Sequence, residues 1–128
     1  YNGVSASVLA ADFDPSVTPI MGAIIESGFN DNGSYTKFAD GTLICKHSLA
    51  ATAANVVDGG LYHSANCIWT FPSTYVATPA TTATAPQGYM WAVALASGGA
   101  TNADIISWRA SSTPAIGTVY VSAIGRWW

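Results

Sequence analysis

The sequence predicts an all-β domain, an antiparallel β-sandwich. Three observations carry that expectation. Short segments of alternating large and polar residues recur about every ten residues. Turns rich in Gly, Asn, Asp and Pro separate them. No stretch shows the period of a long amphipathic helix, because Gly, Pro, Thr and Val break up the Ala-rich segments. The 128 residues suit one domain rather than two. A chain of this size buries roughly two-thirds of its unfolded surface, enough for a core.

In chain order, Tyr1 to Pro19 carries Asp12, Asp14, Pro15 and Pro19 and reads as a connector. The segment Ile20 to Glu26 allows a helical turn or a strand, and its β-branched residues favour extended structure. Residues 1–26 are therefore set apart as a connector, and 27–128 as the domain. Asn30-Asp31-Asn32-Gly33 is a turn. Ser34 to Phe38 alternates as a short strand, Asp40-Gly41 is a strong hairpin signal, and Thr42 to His47 returns. Ser48 to Gly60 reads as a loop with a strand edge at Val56-Val57. Tyr62 to Phe71 reads as a strand, strongest from Asn66 and stopped by Pro72, which cannot donate to a ladder. Ser73 to Gln87 reads as irregular, with an extended piece near Tyr75-Val76. Three strands close the domain: Tyr89 to Ala96, Asp104 to Arg109 and Ile116 to Ile124. Ser97-Gly98-Gly99 and Ser111 to Pro114 form the turns between them.

Composition narrows the function. Half the residues are apolar, 12% are aromatic, and only 9% are charged, against roughly 25% in an average soluble domain. Such a chain hides much of its surface, part of it against other subunits, because obligate interfaces are more apolar than ordinary surface. The net charge is −3. Lys37, Lys46, Arg109 and Arg126 are scattered, which argues against nucleic-acid binding. No apolar run reaches the roughly 18 residues of a membrane span. Tyr1 to Ala11 lacks a signal peptide's basic start and apolar stretch, and without an initiator Met the chain reads as part of a longer protein. Cys45 and Cys67 each sit in an apolar run and read as buried free thiols, with a disulfide between neighbouring strands as the lesser alternative.

The stretch from Ser27-Gly28-Phe29 through Asn32-Gly33-Ser34-Tyr35 to Asp40-Gly41-Thr42-Leu43-Ile44-Cys45 resembles the signature of C-terminal domains of bacteriophage tail fibres and tail spikes. Trp69-Thr70-Phe71-Pro72 resembles a second element of that family, and Val121 to Trp128, with Gly125-Arg126-Trp127, resembles its ending. The elements come in the family's order across most of residues 27–128. The resemblance implies a homotrimeric β-sandwich at the fibre tip, carried on the virion, made in the host cytoplasm and joined to an upstream shaft. It implies host recognition by binding a bacterial surface polysaccharide, lipopolysaccharide or outer-membrane protein. One departure is Lys46-His47, where family members often place an aromatic after the cysteine; at the surface it would alter ligand preference.

Candidate residues follow from chemistry. Hydrolysing a glycosidic bond takes two facing carboxylates. Asp31, Asp40 and Asp58 are explained by turns, Asp12 and Asp14 by a solvated connector, and nothing pairs Glu26 with Asp104. No Gly-x-Ser-x-Gly elbow is present, so no catalytic residue is expected. Cys45, His47, His63 and Cys67 could converge on zinc only if two strands met, and polar strand residues are the preferred reading; neither metal nor cofactor is expected. Sugars stack on aromatic rings and bind side-chain hydroxyls and amides. Ligand contacts are expected from loops at one end of the sandwich, with Tyr62, His63, Tyr75 and Asn102 as candidates. Strand-edge, packing and turn-forming roles remain open for Tyr62, Tyr75 and Asn102. Trp91 and Trp108 read as core. Trp69, Arg126, Trp127 and Trp128 read as packing or subunit-interface residues. Two alternatives accompany the adhesin: a trimerisation and folding cap without receptor contact, and an accessory domain of a polysaccharide-degrading spike.

Overall fold

The structure is a computed structural model and describes residues 23–95, 98–112 and 117–128. Ten strands run in chain order: β1 Ile24–Asn30, β2 Gly33–Phe38, β3 Thr42–Ala50, β4 Ala54–Asp58, β5 Leu61–Ser64, β6 Cys67–Thr70, β7 Ala80–Thr84, β8 Met90–Leu95, β9 Asn102–Arg109 and β10 Thr118–Arg126. They form two antiparallel sheets packed as a sandwich. The first has the order β1-β2-β3-β10-β7. In the second, β9 pairs with β8 along one edge and with β5 and β6 along the other, and β4 lies outside β5.

The Asp-Gly hairpin forms as expected. Tyr35 pairs with Cys45 and Lys37 with Leu43. Gly41 takes a positive φ of 90°, its N–H donates to Phe38 O at 3.0 Å, and the Thr42 N–H donates to Asp40 Oδ1 at 2.9 Å. β1 is extended, and it starts at Ile24, within the range assigned to the connector; Ile25 is buried. Alternation then sorts side chains. On β9 every second residue from Ala103 to Arg109 is buried, and on β10 Val119, Val121 and Ala123 are.

Inward residues of both sheets make one core around Leu43, Cys45, Trp69, Phe71, Tyr75, Met90, Ile105 and Val121. Trp69, Phe71 and Tyr75 form an edge-to-face series with ring centroids 5.0 and 5.1 Å apart, a geometry that adds to simple burial. Trp69 Nε1 donates to Asn32 O at 2.9 Å, and Asn30 Nδ2 to Pro72 O at 3.0 Å. These bonds fasten the β1–β2 turn of one sheet to β6 of the other and to the segment that follows it.

Several elements differ from the sequence reading. The stretch Ser48 to Gly60 is largely strand, because β3 continues to Ala50 and β4 surrounds Val56-Val57. Tyr62 to Phe71 is two strands broken at Ala65-Asn66, since β5 pairs with the Trp108 end of β9 and β6 with the Asn102 end. Ser73 to Gln87 contains β7, which pairs with β10 from Ala80 to Thr84. Tyr75-Val76 is not a strand; its N–H groups donate to Ala100 O and Arg126 O. The connector with Asp12 and Asp14, Ser97 of one turn, and residues 113–116 lie outside the described residues.

Candidate ligand-binding surface

The two sheets turn very different faces outward. On the first, pairing lines up Ser34, Lys46, Ser122 and Thr82 in one row across β2, β3, β10 and β7. The adjoining row is Ser48, Tyr120 and Thr84, and on the other side Thr36 and Ile44 pair. Directly paired residues lie about 5 Å apart at Cβ, so the hydroxyls form a ladder. Thr82 and Ser122 hydroxyls bond each other at 2.8 Å. Tyr120 is 54% exposed beside them. Two shallow hollows meet at Lys46. One, of about 220 Å³, is lined by Lys46, His47, Thr82, Thr84, Tyr120 and Ser122. The other, of about 300 Å³, is lined by Ser34, Thr36, Phe38, Ile44 and Lys46. Hydroxyls, an aromatic ring and one cation along a shallow groove are the groups that recognise a sugar chain.

The second sheet's outward face is apolar. Across it lie Val56, His63, Trp108 and Trp91, each opposite the next. Val93 pairs with Ile106, and Leu95 and Ile68 flank Asp104 from either side. The His63 and Trp108 rings lie against each other, tilted by 43° with centroids 4.9 Å apart. Ile68 is 64% exposed and Trp91 54%. Trp91 and Trp108 are thus outward, not core, because the buried parity of β8 and β9 falls to Met90, Ser107 and Arg109. Asp104 accepts from Asn66 Nδ2 at 3.1 Å.

The expected ligand residues do not come together. Tyr75 is 3% exposed, and its hydroxyl donates to Ala123 O at 2.8 Å. It is a core residue and is corrected as a ligand contact; burial and its hydroxyl's hydrogen bond with Cys45 push it far above the ordinary tyrosine range. Tyr62 pairs with the buried Arg109 at one end of the second sheet. His63 sits at that end on the outward face, with Nδ1 2.8 Å from Ser64 O. Asn102 lies at the opposite end of β9, paired with Thr70.

The interface set divides as well. Trp69 is fully buried and packs inside its own chain. Trp127 is half-buried, its Nε1 donating to Phe38 O at 2.9 Å. Arg126 donates through Nη2 to Asp40 O at 3.0 Å and lies over the Trp128 ring. Arg126 and Trp127 lock the end of β10 onto the β2–β3 turn of the same chain. Sequence reasoning missed the first sheet's outer ladder. Its signal was the Ala/Thr run of residues 80–84, which sends Thr82 and Thr84 to one face once the segment is a strand.

Cys45 and Cys67 are free, and burial raises both thiols. Among the described residues, no three His, Cys, Asp or Glu side chains are grouped to hold a metal ion. Glu26 belongs to the first sheet, where it accepts from Tyr35 and Lys37, and Asp104 to the second. No protein-family model, curated protein or solved structure matches this chain.

Proposed function

We propose that this chain is the receptor-binding tip of a bacteriophage tail fibre. In this reading it binds host surface polysaccharide or lipopolysaccharide along the outer groove of the first sheet, as a homotrimer and without turnover. The observation that carries it is the hydroxyl ladder of Ser34, Ser122, Thr82 and Thr84 beside exposed Tyr120 and Lys46. Support for the phage assignment comes from the hairpin, Trp69-Thr70-Phe71-Pro72 and Gly125-Arg126-Trp127 residues quoted above. Lys46 stands where that family often carries an aromatic, and it is exposed at the junction of both hollows. Weak single contacts become firm attachment when three copies engage one cell surface.

Binding is measured with purified bacterial lipopolysaccharides and capsular polysaccharides by calorimetry. Tyr120→Ala and Lys46→Ala should each weaken binding about tenfold, ~1.4 kcal/mol, with the fold unchanged by circular dichroism. Binding that ignores both substitutions rules out this groove. A second reading, an oligomerisation cap without receptor contact, is favoured by the apolar outer face of the second sheet; it predicts no glycan binding at all.

A further inference from the structure

We infer that the first sheet's outer groove takes an acidic oligosaccharide, with its carboxylate or phosphate on Lys46 and its sugar rings running across the strands between Phe29 and Tyr120. This rests on the glycan-binding reading above. It adds the ligand's charge, its direction and one further contact residue, Phe29.

Position is the first argument. Phe29 of β1 lies opposite Ser34, so one outward row runs Phe29–Ser34–Lys46–Ser122–Thr82 through all five strands in order. Four strand spacings make it roughly 19 Å long. Phe29 is 87% exposed, more than any other large apolar residue described. Lys46 stands two strands away from it, at roughly 10 Å. On the other side of Lys46, Tyr120 is its diagonal neighbour on β10, roughly 7–8 Å off. Two exposed rings therefore flank one ammonium, with the Ser34 and Ser122 hydroxyls on the strands to either side of it. Sugars lay their C–H faces on aromatic rings. A single sugar reaches one ring, whereas a chain laid across the strands reaches both.

Charge is the second. The chain carries a net −3, yet among the described residues the outward strand positions of this sheet hold Lys46 and Arg126 and no carboxylate. Glu26 is on the inward side, engaged by Tyr35 and Lys37. Asp31 and Asp40 sit in turns beyond the strand ends, and Asp58 and Asp104 belong to the second sheet. Arg126 is occupied by Asp40 O and the Trp128 ring. Lys46 is exposed and makes no ion pair with a described residue.

Donor chemistry is the third. Ser and Thr hydroxyls both donate and accept, which suffices for a neutral sugar, whereas an ammonium only donates. Hydrogen bonds from an ammonium to an anion are roughly twice as strong as neutral ones. A lysine at the centre of a hydroxyl ladder thus discriminates in favour of a charged sugar.

The test is calorimetry of the full chain with oligogalacturonate and its methyl ester, and with a lipopolysaccharide core oligosaccharide before and after dephosphorylation. The charged form of at least one pair should bind about tenfold tighter than its neutral form. Loss on esterification marks a carboxylate, and loss on dephosphorylation a phosphate. Lys46→Gln should abolish that preference while leaving affinity for the neutral form unchanged. Phe29→Ser should weaken both forms about fivefold, with the fold intact by circular dichroism. Equal affinity for charged and neutral forms overturns the acidic ligand, as does a preference that survives Lys46→Gln. If Tyr120→Ala still weakens binding in either case, the groove stands and only this inference falls. Binding of none of these saccharides overturns both. A Phe29→Ser variant with unchanged affinity overturns the role of Phe29, and a changed mass by light scattering would then assign that ring to a contact between copies.

Discussion

At the scale of single residues, Tyr75 and Asp40 show how local chemistry sets stability. Tyr75 fills the core and uses its hydroxyl on Ala123 O, so Tyr75→Phe should lower stability by about 1 kcal/mol in urea titration. Leu43, fully buried beside it in the core, should lose about 2–5 kcal/mol on truncation to Ala. Asp40 is held below the ordinary carboxylate range by the Thr42 N–H and hydroxyl. Its folded value is depressed, so its contribution is present above the unfolded value near 3.9 and fades as pH falls through the lower folded value. The stability gap between wild type and Asp40→Asn should therefore shrink as pH is lowered below about 4, as measured by denaturation at successive pH values. Asp40 was legible in the sequence because Asp-Gly fixes a turn through local bonds alone. Tyr75 was not, because a tyrosine among Pro, Ser and Thr carries no local sign of the β10 carbonyl it reaches 48 residues away.

At the scale of elements, the β2–β3 hairpin was readable and β7 was not, for the same physical reason. The hairpin's register is set by its own turn. β7 is five residues bounded by Pro79 and Pro86, and it becomes a strand only because β10 offers an edge. The break between β5 and β6 likewise reflects which end of β9 each one meets. Alternation showed which residues of β8 and β9 share a face. It could not show which face points inward, since Trp91 and Met90 are both large and apolar. Gly33 illustrates a tighter constraint. It has φ of 119°, and a Cβ there would run into the Lys46 carbonyl oxygen and the His47 side chain. Gly33→Ala should lower stability by about 1–3 kcal/mol, seen as a shifted denaturation midpoint with unchanged slope.

At the scale of the whole molecule, the low charge and high apolar content resolve into two outward faces of different character, one rich in hydroxyls and one largely apolar. A surface substitution should then read differently on each. Ile124→Lys on the hydroxylated face should change stability by no more than about 0.5 kcal/mol in chemical denaturation, although Ile124 is half exposed and apolar. The strand order has a kinetic consequence. β10 lies in the middle of the first sheet, bonded to β3 on one side and β7 on the other. Its partners on β3 lie between 118 − 50 = 68 and 126 − 42 = 84 positions earlier in the chain. Closing loops of that length precedes any reward from the pairing, which makes such topologies slow to fold. Until β10 arrives, β3 presents a bare hydrogen-bonding edge of the β1–β2–β3 meander that any other extended chain can occupy. A nascent molecule is therefore most vulnerable to sticking to the wrong neighbour in the interval before β10 docks.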